Sequence, residues 1–378
     1  MRVVIVTESF PPDVNGVAHT TLRTARHLAA RGHRPLVIAP ATAGTDAADT
    51  SPDADAPCPV VRVPSLPLPG YPQVRVALPG RRLAAALTAH RAELVHLASP
   101  FVLGARGMNV AGRLGLPAVA VYQTDLAGYA RTYLGTGEQT AWRRTRAIHT
   151  AADRTLAPST AALGDLVAHG VPRVHLWPRG VDSMTLRPGL RDERLRRTLA
   201  PDGERLVGYV GRLAPEKHVE LLAGACTVPG VKVVVVGDGP SRAPLRGTLP
   251  GAVFLGRLTG DELARFYASL DVFVHTGPYE TFCQTVQEAM ASGLPVVAPA
   301  AGGPLDLVDH GRTGLLVPPL DAGAVRDAVH ALTADPARAA AYGRAGRASV
   351  RGRTWEAVGD LLLHHYDEVL RERTAVAA

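Results

Sequence analysis

The sequence predicts an α/β protein made of two doubly wound domains with parallel sheets. Short apolar runs alternate with segments of helical period along nearly all 378 residues, and most runs end in a glycine-bearing loop. One charged stretch rich in proline and glycine interrupts that alternation near the middle of the chain. Unbroken apolar runs such as VVIV at 3–6 and VVVV at 233–236 suit strands covered on both faces.

In order, strands are expected at 2–7, 35–39, 59–63, 94–97, 117–122, 154–157 and 173–176, with helices at 18–30, 81–90, 101–113, around 142–149 and 160–168. ESFPPDVNGV after the first run is a loop ending near Gly16, and residues 40–58 form a Pro-, Ala- and Asp-rich loop. These elements make an N-terminal domain, 1–178. Residues 179–204 hold prolines, glycine and dense charge and read as a linker. A C-terminal domain, 205–354, follows, with strands at 206–210, 231–236, 252–255, 272–275, 295–298 and 314–317. Its helices fall at 217–225, 241–247, 260–268, 284–292, 321–333 and 336–349. A last helix occupies 355–371, in a segment 355–378 expected to cross back to the first domain. Two such domains are expected to face a central cleft, where open α/β folds bind ligands.

Composition narrows the function. Hydrophobic residues make up 46% and charged residues 20%, as in a folded protein with a sizeable core. Three widely spaced cysteines, Cys58, Cys226 and Cys283, suggest neither a disulfide framework nor a zinc site and fit a reducing cytoplasm. The apolar run at the N-terminus is too short for a signal sequence, and no stretch is long enough to span a membrane. The net charge of +7 lies wholly in residues 1–178, with 18 Arg against 11 Asp and Glu. No nucleic-acid motif accompanies it, so an anionic membrane surface or a solvated face is the expected reading. AWRRTRAIH sets Arg143, Arg144 and Arg146 beside Trp142 and Ile148, a mixture that suits the inner face of a membrane.

The chemistry concentrates in DVFVHTGPYETFCQTVQEAMASG. Its strand breaks at Gly277-Pro278 and a helix begins near Gln284, so Glu280 precedes the helix and Glu288 lies within it. The first amides of a helix lack partners inside it and attract anions. A phosphate on those amides, with carboxylates accepting hydroxyls on either side, describes a sugar nucleotide. Charge placement on a solvated face is the competing reading. Upstream, GRLAPEKH follows a strand; Arg212 offers a planar fork and Lys217 a point charge, together suited to a diphosphate. Lys217 is one of only two lysines against 39 arginines, which points to a site where a guanidinium does not fit. The VVVVGDGP turn and VFLGRL would border a nucleoside, though both could be plain turn chemistry. Cys283 is a small residue at a helix start, read as packing rather than as a nucleophile.

In this order and spacing GRLAPEKH, VVVVGDGP, ETFCQTVQEAMASG and PAAGGP resemble the retaining GT-B glycosyltransferases of family 4, with ESFPPDVNGV, LVHLASP, VYQTDLAGYA and APST extending the likeness over nearly the whole chain. The subgroup is similar to the actinobacterial GDP-mannose-dependent α-mannosyltransferases. The resemblance implies two Rossmann-like domains and transfer of mannose from GDP-mannose to a glycolipid or glycan acceptor, with a retained α-linkage. It implies that Arg212 and Lys217 hold the diphosphate, that Glu288 takes the ribose hydroxyls, and that Glu280 with the amides of Phe282 and Cys283 holds the donor sugar. Gly16 would give the diphosphate and acceptor a close backbone approach, and Arg257 and Leu258 would border the base. Asn15, Gln123 and Asp125 are acceptor-side candidates in loops 9–20, 64–75 and 122–137. Gln123 stands where many relatives have a titratable His, and Cys283 where many have Gly. No acidic pair is placed for a cation, so no metal and no cofactor beyond the co-substrate are expected. Alternatives are a UDP-sugar or other donor with a soluble acceptor, a nucleotide-sugar epimerase, and a non-catalytic binding protein.

Overall fold

Successive residues of the first strand, β1 (Arg2–Val6), are buried toward opposite sides: Val3 and Ile5 join one apolar cluster, Val4 and Val6 another. This is a computed structural model describing residues 1–42, 56–68, 71–78 and 80–377. A strand covered on both faces needs helices on both, which parallel pairing through helical crossovers supplies. The next strands are β2 (Arg34–Pro40), β3 (Val60–Val63), β4 (Ser65–Leu68), β5 (Tyr71–Ala77), β6 (Leu94–Leu97), β7 (Ala118–Val121), β8 (Arg154–Ala157) and β9 (Val174–Leu176). Seven of them form one parallel sheet in the order β3-β2-β1-β6-β7-β8-β9, while β4 and β5 pair separately as an antiparallel hairpin.

The second sheet holds β10 (Arg205–Val210), β11 (Val231–Val236), β12 (Val253–Gly256), β13 (Val272–Val274), β14 (Val296–Pro299) and β15 (Gly314–Val317), all parallel, in the order β12-β11-β10-β13-β14-β15. Strand order reverses between β1 and β6 in the first sheet and between β10 and β13 in the second. At such switch points adjacent loops diverge and leave a crevice at the carboxyl ends of the strands. The chain divides into two compact units, Met1–Arg179 with Trp355–Ala378, and Gly180–Thr354.

Several elements differ from the pattern reading. Proline at 64, 67, 69 and 72 hid the β4–β5 hairpin, since proline cannot donate to a ladder; residues 69 and 70 of the expected 64–75 loop lie outside the described residues. Residues 43–55 of the 40–58 loop lie outside them too. Loop 122–137 contains a helix, Leu126–Leu134, started by Asp125, which accepts from the Gly128 amide at 2.8 Å. The stretch read as a linker carries the helix Glu193–Leu199, capped by Asp192, and residues 180–204 belong to the second unit. In place of a helix over 217–225, short 3₁₀ turns at Pro215–Lys217 and Val219–Leu222 precede a brief helix, Ala223–Cys226. His218 at φ 47° separates the turns.

Two close backbone approaches shape the loops at the second switch point. The loop after β11 crosses the loop after β10 so tightly that a Cβ on Gly237, at φ +136°, would lie 1.8 Å from the Gly211 carbonyl oxygen. The loop after β14 crosses residues 280–282 in the same way. The Gly303 amide donates to the Glu280 carbonyl at 2.8 Å, and a Cβ there would lie 2.0 Å from the Phe282 carbonyl oxygen. Gly303→Ala therefore forces backbones apart and is expected to cost about 1–3 kcal/mol, as overpacking does. By contrast, Gly164 lies exposed within the helix Thr160–Ala168 with nothing within 4 Å of its would-be Cβ, so Gly164→Ala is expected to add about 0.5–1 kcal/mol. Urea midpoints at unchanged m-value check both signs.

Candidate active site

The two strands flanking the second switch point, β10 and β13, pair side by side, with Val207 opposite Val272 and Gly208 opposite Phe273. Their following loops consequently leave the same edge of the sheet. From the first loop comes Lys217, from the second Glu280, and the Lys217 Nζ lies 2.6 Å from Glu280 Oε1. Thr276 fastens the loops further by donating its hydroxyl to the Lys217 carbonyl at 2.6 Å. Gly277 follows, and a Cβ there would come within 3.3 Å of the His275 Nε2 and 3.4 Å of the Lys217 Cα.

Under this ion pair lies His275, 2% exposed and stacked on Tyr209 at 6.3 Å between ring centroids. Its Nε2 is 3.4 Å from Glu280 Oε1 and 3.1 Å from the Gly277 carbonyl oxygen. Burial alone would raise the Glu280 carboxyl, but the Lys217 ammonium and His275 outweigh it and hold the acid well below the usual carboxylate range. Burial likewise disfavours charge on His275, and the Cys283 thiol and the Glu280 carboxylate reverse that, leaving the imidazole raised. Glu280 is thus an ionised acceptor throughout the neutral range.

Cys283 is the N-cap residue of the helix Gln284–Ala291, at φ 77° and 3% exposed, and its side chain makes no cap hydrogen bond. Left-handed backbone at a residue other than glycine is uncommon and clusters at functional sites. It turns the chain sharply so that the helix starts directly beyond Glu280. One turn into that helix Glu288 receives the Tyr267 hydroxyl at 3.1 Å. Burial lifts its carboxyl to about 7, against the opposing hydrogen bonds from Tyr267 and Gln284. Arg212 donates through Nη2 to Glu216, a nearly buried carboxylate four residues on. Tyr209 donates its hydroxyl to the Arg212 carbonyl at 3.3 Å.

Lys217, Glu280, Phe282, Cys283, Glu288 and Arg212 therefore all stand on the loops and helix of one switch point. Arg257 is exposed and Leu258 packs against the apolar cluster that includes Val286 and Ala289. Four residues that sequence reasoning gave no role take part: His275, Thr276, Glu216 and Tyr267. Glu216 stood inside the GRLAPEKH motif; nothing in the sequence singles out Tyr267.

In the first unit the acceptor-side candidates have structural partners. Asn15 caps the helix Gly16–Ala30 by accepting from the Ala18 amide at 2.9 Å, Gln123 donates to the Ala98 carbonyl, and Asp125 caps its own helix. Gly16 opens the first of these helices, with nothing within 4 Å of a would-be Cβ. At the switch point between β1 and β6, Glu8 accepts from the amides of Phe101 at 2.9 Å and Gly104 at 3.0 Å. Of the expected membrane face, Trp142 is half-buried and stacks on the exposed His169 at 3.6 Å and Ile148 is buried, whereas Arg143, Arg144 and Arg146 are exposed. Among the described residues no helix is long and apolar enough to cross a membrane.

Comparison with known proteins agrees with this geometry. The family profile Glycosyltransferase Family 4 matches residues 14–184, and Glycosyl transferases group 1 matches 191–349. A GDP-mannose-dependent alpha-mannosyltransferase of Mycolicibacterium smegmatis is 52% identical over the full length of both chains. One of the same name from Corynebacterium glutamicum is 42% identical over 98% of this chain and 89% of its own. The sucrose-phosphate synthase structure from Thermosynechococcus elongatus superposes with a TM-score of 0.80 at 23% identity, covering 98% of this chain and 100% of that one, and shares the fold. The chain belongs to the family 4 glycosyltransferases of the GT-B fold.

Proposed function

We propose that this glycosyltransferase moves mannose from GDP-mannose to a glycolipid or glycan acceptor, retaining the α-configuration. The observation that carries the reading is the Lys217–Glu280 pair in front of a helix start at a sheet switch point. Full-length relatives named GDP-mannose-dependent alpha-mannosyltransferases support the choice of donor.

In this reading the donor diphosphate lies against Arg212, Lys217 and the first amides of the helix Gln284–Ala291, while the amides of Phe282 and Cys283 join Glu280 in holding the donor sugar. The groups on the diphosphate are aimed where negative charge grows as the anomeric C–O bond breaks, so they stabilise the leaving group more than the bound donor. Glu216 holds the Arg212 fork in place. Glu280 accepts hydroxyls of the transferred sugar; being ionised, it orients and does not protonate. The acceptor hydroxyl attacks from the face the diphosphate leaves, and its proton passes to that phosphate. Glu288 takes the two ribose hydroxyls, while Arg257 and Leu258 border the base. Asn15, Gly16, Gln123 and Asp125 lie on the acceptor side.

Titration with GDP-mannose and with GDP tests these roles. Glu288→Gln and Lys217→Ala are each expected to weaken donor binding by about 1.5–3 kcal/mol, the worth of a charge-assisted hydrogen bond. Lys217→Ala also unpairs Glu280, so its melting temperature must be measured alongside; donor affinity equal to wild type in both variants overturns the assignment. Because the cationic side chains and helix amides supply the counter-charge, no divalent cation is needed. Transfer should run at full rate in EDTA, and loss of activity restored by magnesium would contradict this.

The Glu288 carboxyl near 7 makes donor binding depend on pH. Only the carboxylate accepts both ribose hydroxyls, so the donor KM is expected to fall as pH rises from 6 to 8 and then level. Tyr267→Phe removes a hydrogen bond that favours the carboxylate, and should move that inflection upward; an unmoved inflection would show that another group sets it.

Exposed Arg143, Arg144 and Arg146 would bring the first unit to an anionic membrane surface at the cytoplasmic face, where a lipid-linked acceptor resides. Co-sedimentation with anionic vesicles should occur at low salt, weaken as salt rises and drop in the triple Gln variant. Equal partitioning onto neutral vesicles would favour a soluble acceptor.

A further inference from the structure

His275, Glu280 and Cys283 bring one imidazole nitrogen, one carboxylate oxygen and one thiol sulfur within 4.8 Å of one another. The His275 Nε2 to Glu280 Oε1 separation is 3.4 Å. Bond lengths of about 2.0–2.3 Å to Zn²⁺ from N, O and S put neighbouring ligand atoms of a tetrahedral site roughly 3.2–3.8 Å apart, so a small contraction completes three corners. The nitrogen, oxygen and sulfur set, unlike a patch of surface acids, selects thiophilic metals over Mg²⁺ and Ca²⁺. His275 is 2% exposed, and its Nε2 also lies 3.1 Å from the Gly277 carbonyl oxygen, a contact that metal binding would give up.

We propose that His275, Glu280 and Cys283 form a binding site for a thiophilic divalent cation of the Zn²⁺ class, whose occupation displaces Lys217 from Glu280 and blocks donor binding. The charges balance when two protons go to solvent, one from the His275 imidazolium and one from the Cys283 thiol: a dication then meets one neutral imidazole, one carboxylate and one thiolate, and the Lys217 ammonium swings out on its flexible stem. The electrostatics already favour positive charge at this point, where an ammonium now stands. Cys283 makes the site possible. A glycine would satisfy the left-handed backbone at φ 77° without strain but would offer no third ligand. Metal binding stands on the cluster's geometry alone; only the block of donor binding rests on the reading of Lys217 and Glu280 as donor-binding residues.

Co²⁺ is the probe, added to the full chain after EDTA treatment, with the near-ultraviolet thiolate-to-cobalt charge-transfer band as readout. The wild type should develop the band at one equivalent and lose it when Zn²⁺ is added. Cys283→Gly suits the backbone there and should show no band. Absence of the band in folded wild type overturns the site, as does an equal band in Cys283→Gly, which would place the metal on Cys58 or Cys226. In a parallel assay, Zn²⁺ should weaken GDP-mannose binding to the wild type at least tenfold, reversibly with EDTA, with Cys283→Gly at least tenfold less sensitive relative to its own metal-free value. A Cys283-dependent band without any effect on donor binding would leave the metal site standing and remove Lys217 and Glu280 from the donor site.

Discussion

The second unit depends on an ion pair between residues 63 apart in the chain, Lys217 and Glu280. Each loop is anchored by buried apolar side chains, Leu213 in one and Phe282 in the other, and the two are fastened together through this pair and through Thr276 on the Lys217 carbonyl. Partly buried charge of this kind is tolerable only when paired, because desolvation would otherwise neutralise it. Once paired, the carboxylate stays ionised and the loops form a concave edge beside a helix start. The positions of Glu288, Cys283 and the surrounding amides follow from that edge.

Much of this was legible in the sequence because strands covered on both faces write themselves as unbroken apolar runs. Runs such as Val233–Val236 fixed the strands, and the loops after them had to emerge at one end of a parallel sheet. Lys217, Glu280 and Glu288 could therefore be referred to one ligand without knowing that the first two touch. Side-chain pairing across the sheet was not legible: His275 looks like the last residue of a strand, and Tyr267 like one apolar position on a helix. Local rules failed where two signals competed. The prolines around 64–72 argue against a strand, yet the hairpin β4–β5 forms outside the main sheet, where missing donors cost little. His218 in a left-handed conformation broke a helix that composition alone would have continued.

Both units share the strand order that produces a switch point, but they use it differently. In the first, the half-buried carboxyl of Glu8 stands at the start of the helix Leu103–Arg113; desolvation raises it, and the amides it accepts from pull it back. A helix terminus already supplied with a carboxylate has little left to offer an outside anion. In the second, an ammonium and a guanidinium stand at the corresponding edge. The same switch point thus presents a carboxylate in one unit and cations in the other, and two or three side chains decide which.

The helix Trp355–Ala377 packs into the first unit, although the whole second unit separates it from Arg179 in the chain. Val358, Leu362, Tyr366 and Val369 complete the cluster that holds Val3, Ile5 and Trp177. The Trp177 indole donates to the Val358 carbonyl at 2.9 Å, and buried Arg154 pairs with Glu368 and Glu372. On a ribosome, residues 1–179 would emerge with part of one face of their sheet uncovered, the part not reached by the helix Gly16–Ala30, and Arg154 without its carboxylates. That face must wait through the synthesis of 175 further residues, Gly180–Thr354, which can close their own cores in the interval. Translation order therefore makes the second unit the first to mature and leaves the nascent first unit as a client for whatever shields apolar surface during synthesis.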